Sequence, residues 1–322
     1  NYDCWWGYPP MPQFNHANPQ VRRFIFNVAR YWLEQGADGW RLDVPFEIKD
    51  DEFWREFREV VKTANPEAYI VGEIPSEAQH WLAGDMFDGV MNYQLTHACV
   101  SFFGGSHIDA ELAKGMMGLP TPEAMDAAKF AQRTQQLLTI YPNEFAQAQL
   151  NLLDSHDMPR FLSLVREDIQ RLYLAYLFTL TYPGAPCIYY GDEIGLEDAE
   201  SFGSRNCFPW DESSWDQDLL NFYKRLIALR KRHPVLAEGA FQVLYGAEDM
   251  LLYQRVLGDE HVLVSANRAP QPLPPGELLL PEAAFPASAT FEGFFSDAEA
   301  SAQGSRLWLP ELPTGAEIWL QK

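Results

Sequence analysis

Positive charge is in short supply here. Only 24 Lys and Arg stand against 45 Asp and Glu, a formal net charge of −21 over 322 residues. A surface of that sign repels phosphate backbones and anionic headgroups, so neither nucleic acid nor membrane is an expected partner; a neutral ligand such as a glycan is not excluded. Cysteine is also scarce. Cys4, Cys99, Cys187 and Cys207 match the spacing of neither a zinc site nor a dense disulfide framework. This points to a reducing, cytoplasmic setting, with Cys187 read as a buried thiol in an apolar strand. The seven histidines lack paired ligand spacing, so no metal site is predicted. One uncharged run, Leu172–Tyr190, has the length of a membrane span, but Pro183, Gly184 and Pro186 divide it. A buried helix followed by a core strand fits it better. No signal peptide, internal repeat or disordered tract is visible, and the first residues read as a mid-protein loop.

What the chain does have is apolar and aromatic mass, 47% and 14% of its residues, enough for one large domain and a smaller one. After an aromatic, proline-rich loop over 1–17, helices are predicted at 19–35, 50–64, 106–137 (interrupted near 118–120), 163–181 and 216–232. Strands are predicted at 39–43, 69–73, 87–93, 149–154 and 186–193. Strands alternating with helices predict a parallel sheet with its ligand site at the strand C-terminal ends. Past Pro234 the texture changes to short alternating segments, FQVLYG, MLLYQRV and HVLVSANR, separated by turn residues. That predicts a catalytic α/β domain over 1–234 and a small antiparallel β-sandwich over 235–322.

The segment GWRLDVPFE (39–47) is the most informative. Alternation places Gly39, Arg41 and Asp43 on one face of a strand, with Trp40, Leu42 and Val44 on the other. A charged pair there is either a structural ion pair or a working one. Two further acidic strand ends follow: Glu73 in YIVGEI (69–74), and His156-Asp157 in QLNLLDSHDMPR (149–160). Neighbouring strands lie about 4.8 Å apart, so Asp43 and Glu73 are expected roughly 5 Å from each other. A retaining glycosidase needs its carboxylates about 5–5.5 Å apart, whereas an inverting one needs a wider gap to hold water.

These residues resemble the α-amylase family of retaining α-glucan enzymes, in its neopullulanase and cyclomaltodextrinase branch. The likeness covers nearly the whole chain and is carried, in order, by MPQFN (11–15), GWRLDVPFE, VGEI, LLDSHDMPR and PGAPCIYYGDEIGL (183–196). It implies that the first part of the chain is the C-terminal portion, about five strand–helix units, of a (β/α)8 TIM barrel. By the same resemblance Asp43 is the nucleophile, and Glu73 is the general acid, then base, its proton favoured by burial and an anionic neighbour. Asp157 and His156 bind sugar hydroxyls, Arg41 orients Asp43, Glu47 marks the branch, and Arg205 contacts a donor-side sugar. Trp5, Trp6 and Tyr8 either stack on sugar or pack within their loop.

The implied activity is hydrolysis of α-1,4 bonds, with α-1,6 bonds as a further option, in maltooligosaccharides, cyclodextrins or pullulan through a covalent glycosyl-Asp intermediate. The alternatives are a transglycosylase of the same family and a non-catalytic glycan-binding or scaffold relative. The chain departs from the branch where Pro75-Ser76 replaces Trp-His, with Trp81 as a partial substitute, and where Ser201-Phe202 replaces Asp-Pro. The segment VPFEIKD lacks the histidine of the family's usual Lys-x-x-His calcium pattern, so no cofactor is expected, and calcium only through upstream residues. The expected partners are an α-glucan oligosaccharide, an upstream barrel portion supplied from outside this sequence, and a second copy in a homodimer of the complete enzyme.

Overall fold

Asn18 accepts a hydrogen bond from the Gln20 amide at 2.8 Å and Pro19 fills the first turn, so helix α1 (Pro19–Glu34) begins where a capped N-terminus requires. The computed structural model describes residues 2–197, 203–280 and 284–322, and within it the chain forms two units. The first comprises Asn1–Asn92 with Ala148–Leu150; the second comprises Tyr93–Gln147 with Asn151–Lys322.

In the first unit, α1 leads into strand β1 (Gly39–Leu42), then helix α2 (Asp51–Ala64), strand β2 (Tyr69–Gly72) and strand β3 (Gly89–Val90). Asp50 caps α2 by accepting from the Phe53 amide. The spacing of Phe53, Trp54, Phe57 and Val61 gives α2 one apolar face, and all four are buried. Burying side chains of this size contributes about 1.5–3 kcal/mol each. The sheet is parallel in the order β1-β2-β3, with Gly39 opposite Tyr69 and Leu42 opposite Gly72. The predicted neighbour relation between β1 and β2 therefore holds. A Cβ on Gly39 would lie 2.1 Å from the Tyr69 carbonyl oxygen, which explains a glycine at the strand's start. Beyond β3, Met91 bridges Leu150 in parallel and the Asn92 amide donates to the Leu150 carbonyl at 2.8 Å. Asp88 ties α2 to this sheet, accepting from Arg58 at 2.7 Å, Lys62 at 2.8 Å and the Ile70 amide at 2.9 Å.

The second unit contains α3 (Tyr93–Cys99), α4 (Ala127–Thr139), α5 (Asn143–Gln147), β4 (Leu150–Asn151, of which Asn151 belongs here), α6 (Phe161–Leu164), α7 (Ile169–Thr181), β5 (Ala185–Pro186), α8 (Gln217–Arg232) and α9 (Val235–Glu238). Several expected elements are corrected. The helix predicted over 163–181 begins only at Ile169, because Arg166 and Glu167 adopt positive φ after the short α6. The helix predicted over 106–137 exists only as α4, because Gly115, Met117 and Gly118 adopt positive φ and Pro120 and Pro122 follow, leaving short 3-10 turns upstream. The strand predicted over 149–154 shrinks to β4, since the next backbone groups are taken by side chains: the Leu152 carbonyl accepts from Thr96 Oγ1 at 2.7 Å. The strand predicted over 186–193 is only β5. A turn closes it, with the Asp192 amide donating to the Tyr189 carbonyl and Gly191 at φ +93°. Cys187 consequently lies outside any strand and is half-buried; Cys99 is the buried thiol, its pKa raised by burial.

From Ala240 onward the unit is β-rich. Strands β6 (Ala240–Ala247), β7 (Met250–Leu257), β8 (Glu260–Asn267), β9 (Gly276–Leu279), β10 (Phe285–Gly293), β11 (Glu299–Gly304), β12 (Arg306–Leu309) and β13 (Gly315–Gln321) form one continuous antiparallel sheet. Its order is β6-β7-β8-β13-β10-β11-β12-β9. Leu244 of β6 and Leu278 of β9, the two edge strands, meet one core with Leu252, Leu263, Phe291 and Trp319. The sheet therefore curls around its own apolar face. The expected sandwich is corrected to a single curled antiparallel sheet. Among the described residues no helix is long and apolar enough to cross a membrane.

Candidate active site

Asp43 and Glu73 each follow the last residue of a strand, one register step beyond the Leu42–Gly72 pair. They share a cation. Arg41 Nη1 lies 2.5 Å from Asp43 Oδ1, and Nη2 lies 2.5 Å from Glu73 Oε1. Their environments differ: the Asp43 side chain is 74% exposed and that of Glu73 only 3%. Glu73 Oε2 accepts from the Val44 amide at 3.2 Å. Val44 itself sits at φ 41°, ψ 48°, a left-handed conformation that costs a β-branched residue roughly 1–3 kcal/mol. This strain immediately follows Asp43 and turns an amide toward the buried carboxylate. No residue pattern announces it, since the position carries neither glycine nor asparagine.

Glu47 accepts from Trp6 Nε1 at 2.7 Å, and the Trp6 ring stacks on Trp5 with centroids 4.2 Å apart. Trp6 and Tyr8 are both exposed. Trp81 is committed to packing: one of its faces lies parallel to Phe87 at 5.2 Å.

The second unit brings together His156, Asp157 and Arg205. Asp157 Oδ2 is 3.0 Å from His156 Nε2, while Oδ1 accepts from Arg205 Nη2 at 2.6 Å; Arg205 Nε donates to the His156 carbonyl at 2.8 Å. Ser201 and Phe202, the departure noted before this arginine, lie outside the described residues.

Next to this group is a buried network that joins Arg160 to Asp192. Arg160 Nη1 lies 2.9 Å from Asp192 Oδ1, and the Tyr176 hydroxyl donates to Asp192 Oδ2. Burial and then the Asp154 carboxyl push Asp192 above the usual carboxylate range, against the downward pull of Tyr176 and Arg160. The available signal was an arginine within LLDSHDMPR and an aspartate within YYGDE. Glu193 turns back to accept from the Gly191 amide.

The remaining histidines are engaged locally: His80 with Asp51, His107 with Asp168, His233 with Glu260, His97 with the Pro120 carbonyl, His261 with Gln254, and His16 edge-on to Phe53. Among the described residues no cluster of three or more His, Cys, Asp or Glu is placed to hold a metal ion.

The model of the alpha-amylase catalytic domain matches residues 2–214. Cyclomaltodextrinase of Geobacillus thermopakistaniensis (strain MAS1) is 41% identical over 272 residues, 84% of this chain and 43% of that protein. Neopullulanase 2 of Thermoactinomyces vulgaris is 42% identical over 261 residues, 80% of this chain and 42% of that protein. The chain thus spans less than half the length of these curated relatives. Among solved structures, Ttha1563 from Thermus thermophilus superposes with TM-score 0.92 at 41% identity, covering 100% of this chain and 67% of that one. The Nostoc punctiforme debranching enzyme gives 0.87 at 38%, covering 99% and 65%. With a catalytic-domain match over most of its length and relatives at about two-fifths identity, the chain belongs to the α-amylase family.

Proposed function

We propose that the protein is a retaining α-glucan hydrolase acting on maltooligosaccharides, cyclodextrins or pullulan. The observation that carries this reading is the pair of carboxylates at adjacent parallel strand ends, Asp43 and Glu73, held by the two terminal nitrogens of Arg41. That placement suits the separation of about 5–5.5 Å required for double displacement. Asp43, the exposed member, attacks the anomeric carbon as a carboxylate. Glu73 protonates the departing glycosidic oxygen, then takes a proton from the water that releases the glycosyl-Asp43 ester. Arg41 orients Asp43. Asp157 and His156 hold sugar hydroxyls, with Arg205 supporting Asp157 on the donor side. Glu47 and the Trp6 ring supply a further sugar contact. The negative field of the carboxylates stabilises the oxocarbenium-like transition state.

The catalytic domain in this reading is the portion of a (β/α)8 barrel ending near residue 234, with the β domain over 235–322. Neighbours named cyclomaltodextrinase and neopullulanase support the substrate class, and one relative named intracellular maltogenic amylase, from Bacillus subtilis, supports a cytoplasmic setting. An upstream barrel portion completes the enzyme, and the complete enzyme pairs as a homodimer. The test is to express this sequence with and without that portion and to assay both against cyclodextrin, pullulan and starch, following the anomeric proton of the first product. The expected result is an α-anomer from the completed enzyme only, with turnover abolished by Asp43→Asn. A β-anomer, or full turnover in Asp43→Asn, would end the reading.

A further inference from the structure

The backbone that carries His156 and Asp157 rests on a buried ionic strut for which the glycosidase reading has no role. Arg160 and Asp192 side chains are 1% and 2% exposed and lie 2.9 Å apart. Arg160 also donates to backbone, from Nη1 to the Tyr190 carbonyl at 2.8 Å and from Nη2 to the Ser204 carbonyl at 3.3 Å. Its guanidinium lies over the Tyr189 and Tyr190 rings, 4.8 and 5.1 Å from their centroids. Asp192 fixes the guanidinium from behind, and its other oxygen accepts from the Tyr176 hydroxyl. Asp154 Oδ2 accepts from the Phe161 amide at 2.7 Å, which locks the chain on the far side of Asp157.

The Ser204 carbonyl is the point of connection. It accepts from Arg160 and, at 2.9 Å, from the Tyr189 hydroxyl. The next residue is Arg205, whose Nη2 reaches Asp157 at 2.6 Å and whose Nε reaches the His156 carbonyl at 2.8 Å. The backbone gripped by the strut and the guanidinium gripping Asp157 therefore belong to consecutive residues. A buried ion pair is weak evidence of stability, because an apolar pair of similar volume often packs as well. A planar guanidinium in a fixed fork does offer something an apolar pair cannot, namely donors at set angles to separate segments.

We propose that Arg160 and Asp192 are positioning residues for Asp157, acting through Ser204 and Arg205. This rests on the reading of Asp157 as a ligand for sugar hydroxyls.

The experiment is a double-mutant cycle in the complete enzyme, assayed with an activated aryl maltooligosaccharide. Arg160→Lys, Asp192→Asn and the milder Tyr189→Phe are each combined with Asp157→Asn. Displacement of a binding group by a fraction of an ångström to 1 Å is expected to lower kcat/KM by about ten- to a hundredfold for Arg160→Lys and Asp192→Asn, and less for Tyr189→Phe. In the Asp157→Asn background the same changes should cost less than about twofold, because their effect passes through Asp157. Discrimination against a 2-deoxy donor sugar should fall in Tyr189→Phe, a readout that general loosening would not move. Full persistence of the losses beside Asp157→Asn overturns the proposal and leaves the glycosidase reading intact. Wild-type turnover in Asp157→Asn overturns both. If Arg160→Lys does not fold, unaltered kcat/KM and donor discrimination in Tyr189→Phe overturn the positioning role.

Discussion

Arg41 Nη2 lies 2.5 Å from Glu73 Oε1, joining a half-buried guanidinium to a carboxylate with 3% of its side chain exposed. The same guanidinium reaches Asp43, so one cation sets the spacing and orientation of both acids. Removing one partner from a buried pair typically costs about 3–5 kcal/mol, because the other charge is left uncompensated.

Arg41→Ala is therefore expected to damage activity and stability together. We expect kcat/KM to fall by about 10²–10⁴, the range attached to a misplaced acid–base group, with a lower thermal midpoint. Arg41→Lys should fall between Arg41→Ala and the native protein, since an ammonium lacks the two-pronged geometry needed to span both carboxylates. Steady-state kinetics with differential scanning calorimetry decides this; native kcat/KM in Arg41→Ala would remove Arg41 from the site.

Asp88 makes a pH-dependent contribution. Burial alone would raise its pKa, but Lys62, Arg58 and the Ile70 amide outweigh that and hold it below the ordinary value of 3.8. The unfolded chain thus binds the Asp88 proton more readily than the folded one. The resulting stabilisation is fully present above the unfolded pKa and is lost as pH falls below about 4 through the depressed folded value. Asp88→Asn should lower stability near neutrality and flatten the acid limb of stability against pH. Urea midpoints at neutral and acidic pH for both proteins measure it, and parallel curves would rule Asp88 out.

Arg255 is the clearest stability residue of the second unit. It is fully buried and donates to the carbonyls of Thr181 at 2.5 Å, Leu236 at 2.7 Å and Gly239 at 2.6 Å. Thr181 ends α7 and Leu236 lies in α9, so the charge meets orphaned helix carbonyls. Burial, then the charge of Arg230, bring its pKa down to about 10. Arg255→Met removes the donor to the Thr181 and Gly239 carbonyls at about 1–3 kcal/mol each, while the Leu236 carbonyl keeps its bond from Arg230 at 2.8 Å. A loss on the order of 3 kcal/mol is expected by chemical denaturation, and a loss below the usual surface scatter of about 0.5 kcal/mol would refute it.

Residue order alone was enough to place three helices that have both a cap and a periodic face. Asn18-Pro19 starts α1, Asp50 starts α2 and Asp216 starts α8, close to the predicted positions. It was also enough to tell which chain positions follow β1 and β2, because alternation and parallel pairing are local consequences of a strand's period of two. The family, too, was readable from short motifs. Three-dimensional packing settled where backbone groups find side-chain partners instead of ladder partners, as at Leu152 and Tyr190, which ended two predicted strands early. Packing also set the left-handed turn at Val44, where a local cost is outweighed by what surrounds it. It alone placed Arg160 against Asp192 and Arg41 against Glu73. These partners lie 32 residues apart in each case, and no local propensity carries information over that distance; only the closure of the fold brings the charges together and removes the water between them.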